Sequence, residues 1–161
     1  MRAIAAAPRS RQPGGIVIGM KVRRATLEDA ERIARLAGQL GYPATAGETA
    51  ERLAAIVGDG QHAVLMADAG GVLEGWVHVL VSRSLLAERR AEIAGLVVDE
   101  NLRGRGIGQA LVEEAERWAR ENGCRSVRLH SNVLRPRAHA FYERLGFAVT
   151  KLQKAFRKEL G

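Results

Sequence analysis

A glycine-rich turn that lies between an apolar run and a helical pattern constrains the fold of this chain more than any other feature. Val97 and Val98 end the apolar run, and Arg103, Gly106 and Gly108 follow at the spacing R-x-x-G-x-G. This order predicts a strand, a turn and the N-terminus of a helix. The first N–H groups of a helix lack internal partners and the helix dipole is positive there, so the turn is suited to bind phosphate.

Two known phosphate-binding loops do not fit this turn. A Walker loop ends in Gly-Lys-Ser/Thr, whereas Gly108 is followed by Gln109 and Ala110. A dinucleotide-binding fingerprint has the spacing G-x-G-x-x-G, whereas Gly104, Gly106 and Gly108 alternate. The remaining alternative is a plain tight turn, which has no use for three glycines interleaved with two arginines.

The turn resembles the acyl-CoA-binding motif of the GNAT superfamily of N-acetyltransferases, Gln/Arg-x-x-Gly-x-Gly/Ala. Residues 138–147 have the sequence Ala-x-x-Phe-Tyr-x-x-x-Gly-Phe, which is similar to a second signature of that family. The two motifs occur in the family's order, with one predicted strand, residues 126–130, between them. The resemblance covers residues 20–160 and implies an acetyl-CoA-dependent N-acetyltransferase.

Hydrophobic periodicity predicts a mixed α/β fold with the element order β-αα-βββ-α-β-α-β. The fourth and fifth strands, residues 91–99 and 125–131, flank one helix, so they should be parallel and joined by a right-handed crossover. A polar loop is expected at residues 83–90, and a final strand is expected from Phe147. The GNAT resemblance implies that the central sheet is splayed between its fourth and fifth strands, where the pantetheine arm of CoA enters.

The positive charge is concentrated at the start of the chain. The net charge is +7, but residues 1–24 hold six basic residues and no acidic one, which leaves 19 basic against 18 acidic residues in the rest. This distribution argues against a nucleic-acid partner. We expect a single domain over residues 20–161, preceded by a poorly packed extension of residues 1–19.

Other compositional features exclude further classes of protein. No apolar run approaches the roughly 18–20 residues that span a bilayer, so no membrane partner is expected. The single cysteine, Cys124, excludes an internal disulfide and fits a reducing, cytoplasmic compartment. The four histidines lack metal-ligand spacing, so no metal site is expected.

The resemblance implies which residues contact the cofactor. Main-chain contacts to the pantetheine arm are expected from the fourth strand, at Leu96, Val97 and Val98. Many family members have an asparagine at the position of Arg135. The cofactor-binding role of that asparagine is therefore assigned to the nearby Asn132. The pyrophosphate is expected on the turn formed by Arg103, Gly104, Arg105, Gly106, Ile107, Gly108 and Gln109.

Two residues are predicted to move protons. Tyr142 occupies the family's Phe-Tyr position, where the resemblance implies a general acid for the CoA thiolate; the alternative is a packed aromatic. Counting back by twos from Leu96 places Glu92 on the same strand face, and a carboxylate there could act as the base. The alternative for Glu92 is a salt bridge to Arg89 or Arg90.

The acceptor is the least constrained part of the prediction. Residues 131–142 resemble the corresponding region of the aminoalkylphosphonate acetyltransferases, which implies a small amine as the acceptor, an anionic one included. Cys124 has no base beside it in the sequence, so direct attack is favoured over a covalent route. Two other functions stay open besides a small-molecule N-acetyltransferase. One is a protein N-terminal or lysine acetyltransferase, and the other is a non-catalytic acyl-CoA-binding regulatory domain. The oligomeric state is open, a homodimer included.

Overall fold

The computed structural model describes residues 19–161, so the expectation for the N-terminal extension lies, except for Gly19, outside the described residues. The described chain forms two compact units, one ending at Leu129 and one spanning His130–Gly161. Each is described by itself, and the single domain over residues 20–161 stays a prediction. No helix among the described residues is both long and apolar enough to cross a membrane.

The first unit is built on one mixed sheet with the strand order β1-β2-β3-β4-β5. Neighbouring strands are antiparallel from β1 to β4, whereas β4 and β5 are parallel, which confirms the predicted fold class. The strands are β1 Met20–Arg24, β2 His62–Ala69, β3 Val72–Ser84, β4 Ala87–Val98 and β5 Val127–Leu129.

Three helices accompany this sheet, and α4 lies in the second unit. The ranges are α1 Ala30–Gln39, α2 Ala46–Val57, α3 Ile107–Glu121 and α4 Pro136–Arg144. A capping pair begins the first helical segment: the Thr26 N–H donates to Asp29 Oδ2 at 2.8 Å.

The sheet is covered on both faces. Leu111 and Trp118 of α3 are buried in the first unit, and α3 packs on β3, where Val77 and Val79 are fully buried. A second cluster on the other face joins Ile33 of α1 and Leu53 of α2 to Val64 and Met66 of β2. Burial of each such side chain contributes about 1.5–3 kcal/mol, so both layers hold the sheet in place.

The prediction of a polar loop at residues 83–90 is wrong. β3 and β4 instead form one long hairpin that turns at Leu85 and Leu86, with Ser84 paired to Ala87. Polar residues are compatible with an antiparallel ladder that faces water, so their polarity did not mark a loop.

The final strand expected from Phe147 is also absent, since residues 147–161 form neither helix nor strand. In a strand, Phe147 and Val149 would lie on one face and Leu152, Phe156 and Leu160 on the other. The segment therefore lacks the single continuous apolar face that a half-buried strand requires.

Candidate active site

The strand β4 has an open edge just before the glycine-rich turn. Its parallel ladder with β5 runs only from Ala91, opposite Val127, to Ile93, opposite Leu129. β4 continues for five more residues to Val98, and among residues 19–129 no strand pairs with that part on the β5 side. The expected splay between the fourth and fifth strands is thus confirmed, and Leu96, Val97 and Val98 lie along the open edge.

A β-bulge at Ala94 marks the point where the two strands part. Val79 is opposite Ile93 and His78 is opposite Gly95, so Ala94 is the extra residue of β4, and it is exposed. A bulge bends its strand and increases the local twist, which turns the rest of β4 away from β5.

The bulge also changes which side chains share a face of the sheet. Glu92 is opposite Leu80, whereas Leu96 is opposite Val77. Leu80 and Val77 point to opposite faces because they are three residues apart in one strand. The expectation that Glu92 and Leu96 share a face is therefore wrong, because counting by twos does not hold across an extra residue.

Glu92 forms an ion pair with the neighbouring strand. Arg128 of β5 lies directly opposite Glu92, and its Nη2 donates to Glu92 Oε2 at 2.6 Å. Both side chains are partly exposed. A salt bridge is thus present, with Arg128 as its partner, and it fixes the direction of the carboxylate.

The turn has the backbone that the glycine pattern predicts. Gly104 and Gly106 have φ values of +81° and +82°, in the left-handed region that favours glycine, and Gly106 caps the N-terminus of α3. The first hydrogen bond of α3 joins the Ala110 N–H to the Gly106 carbonyl. The N–H groups of Ile107, Gly108 and Gln109 therefore precede the helical ladder.

The side chains around this turn differ in exposure. Ile107 is buried and anchors the start of α3, whereas Arg103, Gly104 and Arg105 are exposed. Arg103 Nε is 3.4 Å from the Val98 carbonyl oxygen, at the end of β4. The turn thus presents basic side chains together with helix N–H groups.

Trp76 and Gly95 are in close contact beside the bulge, a feature that sequence reasoning missed. A Cβ atom at Gly95 would lie 2.9 Å from two atoms of the Trp76 ring. Gly95 is thus required for this packing, and the signal was an isolated glycine inside a strand, which often marks a bulge or a close approach.

A histidine pair lies on the Glu92 face of the sheet. His78 of β3 shares that face with Leu80, and its Nε2 is 3.0 Å from Nδ1 of His62 on β2. Burial, with a smaller effect of His62, lowers the pKa of His78 from 6.5 to about 4. His78 is therefore neutral at physiological pH, when one imidazole nitrogen of the pair donates and the other accepts.

Tyr142 belongs to the second unit, where it lies on α4. Its ring makes edge contacts with Phe141 and Phe147, at centroid distances of 5.1 Å and 5.7 Å. Burial raises the pKa of the phenol above 10, against a smaller opposing effect of Arg135. The phenol is consequently protonated at neutral pH and retains a proton to donate.

Asn132 precedes α4 in the same unit. Its Oδ1 accepts from the Leu134 N–H at 2.9 Å, and its carbonyl oxygen accepts from the Arg135 N–H at 3.1 Å. A His139 ring nitrogen lies 2.9 Å from that same carbonyl oxygen. The side-chain oxygen of Asn132 thus shapes the turn into α4, and its cofactor-binding role stays a prediction.

Comparison with known proteins gives a consistent result. Residues 27–147 match the acetyltransferase (GNAT) family. The chain is 30% identical over 144 residues to the aminoglycoside N(6')-acetyltransferase type 1 of Stenotrophomonas maltophilia, a match that covers 86% of this chain and 93% of that protein. The family match includes β4, the glycine-rich turn and α4.

Two solved structures show the same fold. A protein described as a transcriptional regulator from Bacillus halodurans C-125 is 26% identical, with a TM-score of 0.78 over 86% of this chain and 99% of that one. The aminoglycoside acetyltransferase AAC(6')-Iy, in complex with the bisubstrate analogue CoA-S-monomethyl-acetylneamine, is 21% identical, with a TM-score of 0.78 over 88% and 99%.

Proposed function

The chain belongs to the GNAT family of acetyltransferases, and we propose that it transfers the acetyl group of acetyl-CoA to the primary amine of a small molecule by direct attack. It is an N-acetyltransferase, and acetyl-CoA is its co-substrate. The small-molecule acceptor is the proposed part. Its support is the relative from Stenotrophomonas maltophilia, an enzyme named for an aminoglycoside acceptor and matched over nearly its whole length.

The open edge of β4 is the observation that carries the proposed binding mode. A strand edge with unpaired N–H and C=O groups can bind an extended ligand through main-chain hydrogen bonds. In this proposal the pantetheine arm lies along Leu96, Val97 and Val98. The pyrophosphate lies on residues 103–109, where the first N–H groups of α3 and two arginines offer donors to its negative charge.

Acetyl transfer to an amine removes two protons from the acceptor ammonium ion and adds one to the sulfur of CoA. The acceptor is an ammonium ion near neutral pH and must lose a proton before its nitrogen can attack the thioester carbonyl. Glu92 is the proposed base, because the ion pair with Arg128 holds its carboxylate in one direction at the point where β4 and β5 part. The attack forms a C–N bond and a tetrahedral oxyanion.

Collapse of this intermediate breaks the C–S bond and releases the CoA thiolate, and the nitrogen gives up its second proton to water. Tyr142 is the proposed general acid that protonates the thiolate. Its raised pKa supports this role, because the phenol holds its proton until negative charge develops on sulfur. No covalent intermediate on the protein is required, and the buried Cys124 takes no part in the proposal.

The test is a panel of acceptors with acetyl-CoA, in which release of the free CoA thiol is followed. The panel contains aminoglycosides, amino sugars, aminoalkylphosphonates, peptides with free N-termini and lysine peptides. The proposal predicts the highest kcat/KM for a small amine. A preference for peptides would identify a protein acetyltransferase, and CoA binding without transfer to any acceptor would indicate a regulatory acyl-CoA-binding domain.

A further inference from the structure

Arg32 of α1 forms two short hydrogen bonds, one to the residue that follows β4 and one to β3. Its Nη2 donates to Asp99 Oδ2 at 2.9 Å, and its Nε donates to the Leu73 carbonyl at 2.7 Å. The Arg32 and Asp99 side chains are only 17% and 13% exposed. Because water competes little at such a site, this ion pair is more strongly coupled than a surface pair.

Asp99 lies at the junction between the open edge of β4 and the glycine-rich turn. Its Oδ1 accepts from the Asn101 N–H at 3.1 Å and caps a short 3-10 helix, Glu100–Leu102, which leads directly into the glycine-rich turn. The Asn101 hydrogen bond, and then Arg32, lower the pKa of Asp99. Asp99 is therefore ionised at neutral pH, and one of its oxygens bonds to α1 while the other bonds to the 3-10 helix.

A second residue of α1 contacts the same 3-10 helix. Gln39 Oε1 accepts from the Glu100 N–H at 3.0 Å. Gln39 is seven residues after Arg32, so both residues lie on one face of α1. The helix thus holds two consecutive residues, Asp99 and Glu100, from one side.

We infer that Arg32 and Gln39 are positioning residues for CoA binding, which act by fixing where the glycine-rich turn lies relative to the open edge of β4. CoA has to reach both features at once, with its arm on the strand and its pyrophosphate on the turn. Loss of the Arg32–Asp99 contact would leave each half-site intact but let the spacing between them vary. This inference rests on the proposed placement of CoA.

The test compares CoA with a shortened substrate that cannot reach the turn. CoA affinity is measured by calorimetry, and KM is measured for acetyl-CoA and for S-acetylpantetheine, which lacks the pyrophosphate and the nucleotide. Arg32→Gln should weaken CoA binding about 10-fold, less than the roughly 100-fold that misplacement of a reacting group can cost. It should leave kcat at saturation and the KM for S-acetylpantetheine close to wild type.

Three further variants keep the inference falsifiable. Asp99→Asn retains the shape of the side chain, should weaken CoA binding in the same way, and should add little to Arg32→Gln because the two residues form one contact. Arg35→Gln, an exposed site on the same helix, is the matched control and should not change CoA affinity. Arg32→Lys should restore part of the affinity, because it keeps the charge.

Wild-type CoA affinity in both Arg32→Gln and Asp99→Asn would overturn the inference. So would an equal loss for CoA and S-acetylpantetheine, because that would indicate general damage to the fold. The calorimetric measurement needs no acceptor, so it can fail or succeed independently of the proposal that the acceptor is a small amine.

Discussion

Arg128 donates to Glu92 at 2.6 Å one register position before the ladder between β4 and β5 ends. The next pair, Ile93 with Leu129, is the last of the ladder, and the bulge at Ala94 follows at once. The carboxylate proposed as the base is therefore held where two strands separate. An ion pair between adjacent strands gives it one orientation, which a solvent-exposed glutamate at a strand end would lack.

Replacing Glu92 with Gln should shift the pH dependence of the reaction. Without a base, only acceptor molecules that are already neutral can attack, so activity should require a higher pH than in the wild type. The measurement is kcat/KM against pH for one acceptor. Glu88→Gln, at an exposed ion pair near the start of β4, is the control. A profile identical to wild type would remove Glu92 from the mechanism.

Replacing Tyr142 with Phe should lower turnover without harming the fold. The ring and its contacts with Phe141 and Phe147 are kept, and only the proton source is removed. We expect kcat to fall on the order of 10²-fold, with CoA affinity unchanged. Tyr42→Phe, at an exposed tyrosine, is the control. Near-wild-type turnover, when chemistry limits the rate, would show that water protonates the thiolate.

Replacing Gly106 with Val should weaken CoA binding much more than Arg105→Ala does. A β-branched residue is strained at a φ of +82° and would bring a side chain to the N–H groups proposed to hold the pyrophosphate. Gly123→Val is a matched control, because Gly123 has a φ of +71° after the other end of α3. Calorimetry on folded proteins decides, and equal CoA affinities in the Gly106 and Gly123 variants would count against the assignment.

His78 should make the fold less stable in mild acid. Its pKa is about 4 in the folded protein and near 6.5 when unfolded, so between these values the unfolded chain binds the extra proton. The free energy of unfolding should fall as the pH decreases from about 6.5 towards 4. Urea unfolding at several pH values should give a weaker dependence for His78→Gln than for wild type. Equal slopes for wild type and His78→Gln would refute the role of His78.

Features encoded by neighbouring residues were predictable from the sequence. The left-handed backbone at Gly104 and Gly106 follows from the local pattern of glycines, and so does the tight turn at Gly70 and Gly71, whose φ values are +67° and +91°. The Thr26–Asp29 cap is another short-range feature. Each depends on backbone preferences within a few residues, which a single sequence contains.

Features that depend on pairing between distant residues were not predictable. The bulge at Ala94 exists only relative to β3, and it reversed the face deduced for Glu92 against Leu96. Arg128, which donates to Glu92, is 36 residues away from it, so this contact leaves no signal in the local sequence. The hydrogen bonds of Arg32 with Asp99 and of Gln39 with Glu100 likewise join residues more than 60 positions apart.

Direct acetyl transfer to a small amine is tested most sharply by a rapid-quench experiment with radiolabelled acetyl-CoA and enzyme in excess. The acceptor is the best small amine of the panel, and the label is followed on the protein, on the acceptor and on the remaining acetyl-CoA. The account predicts that the label passes to the amine at the rate at which CoA is released, and that neither event occurs without the acceptor. A labelled protein that forms before the acceptor is added, or label that moves only to peptide amines, would contradict it.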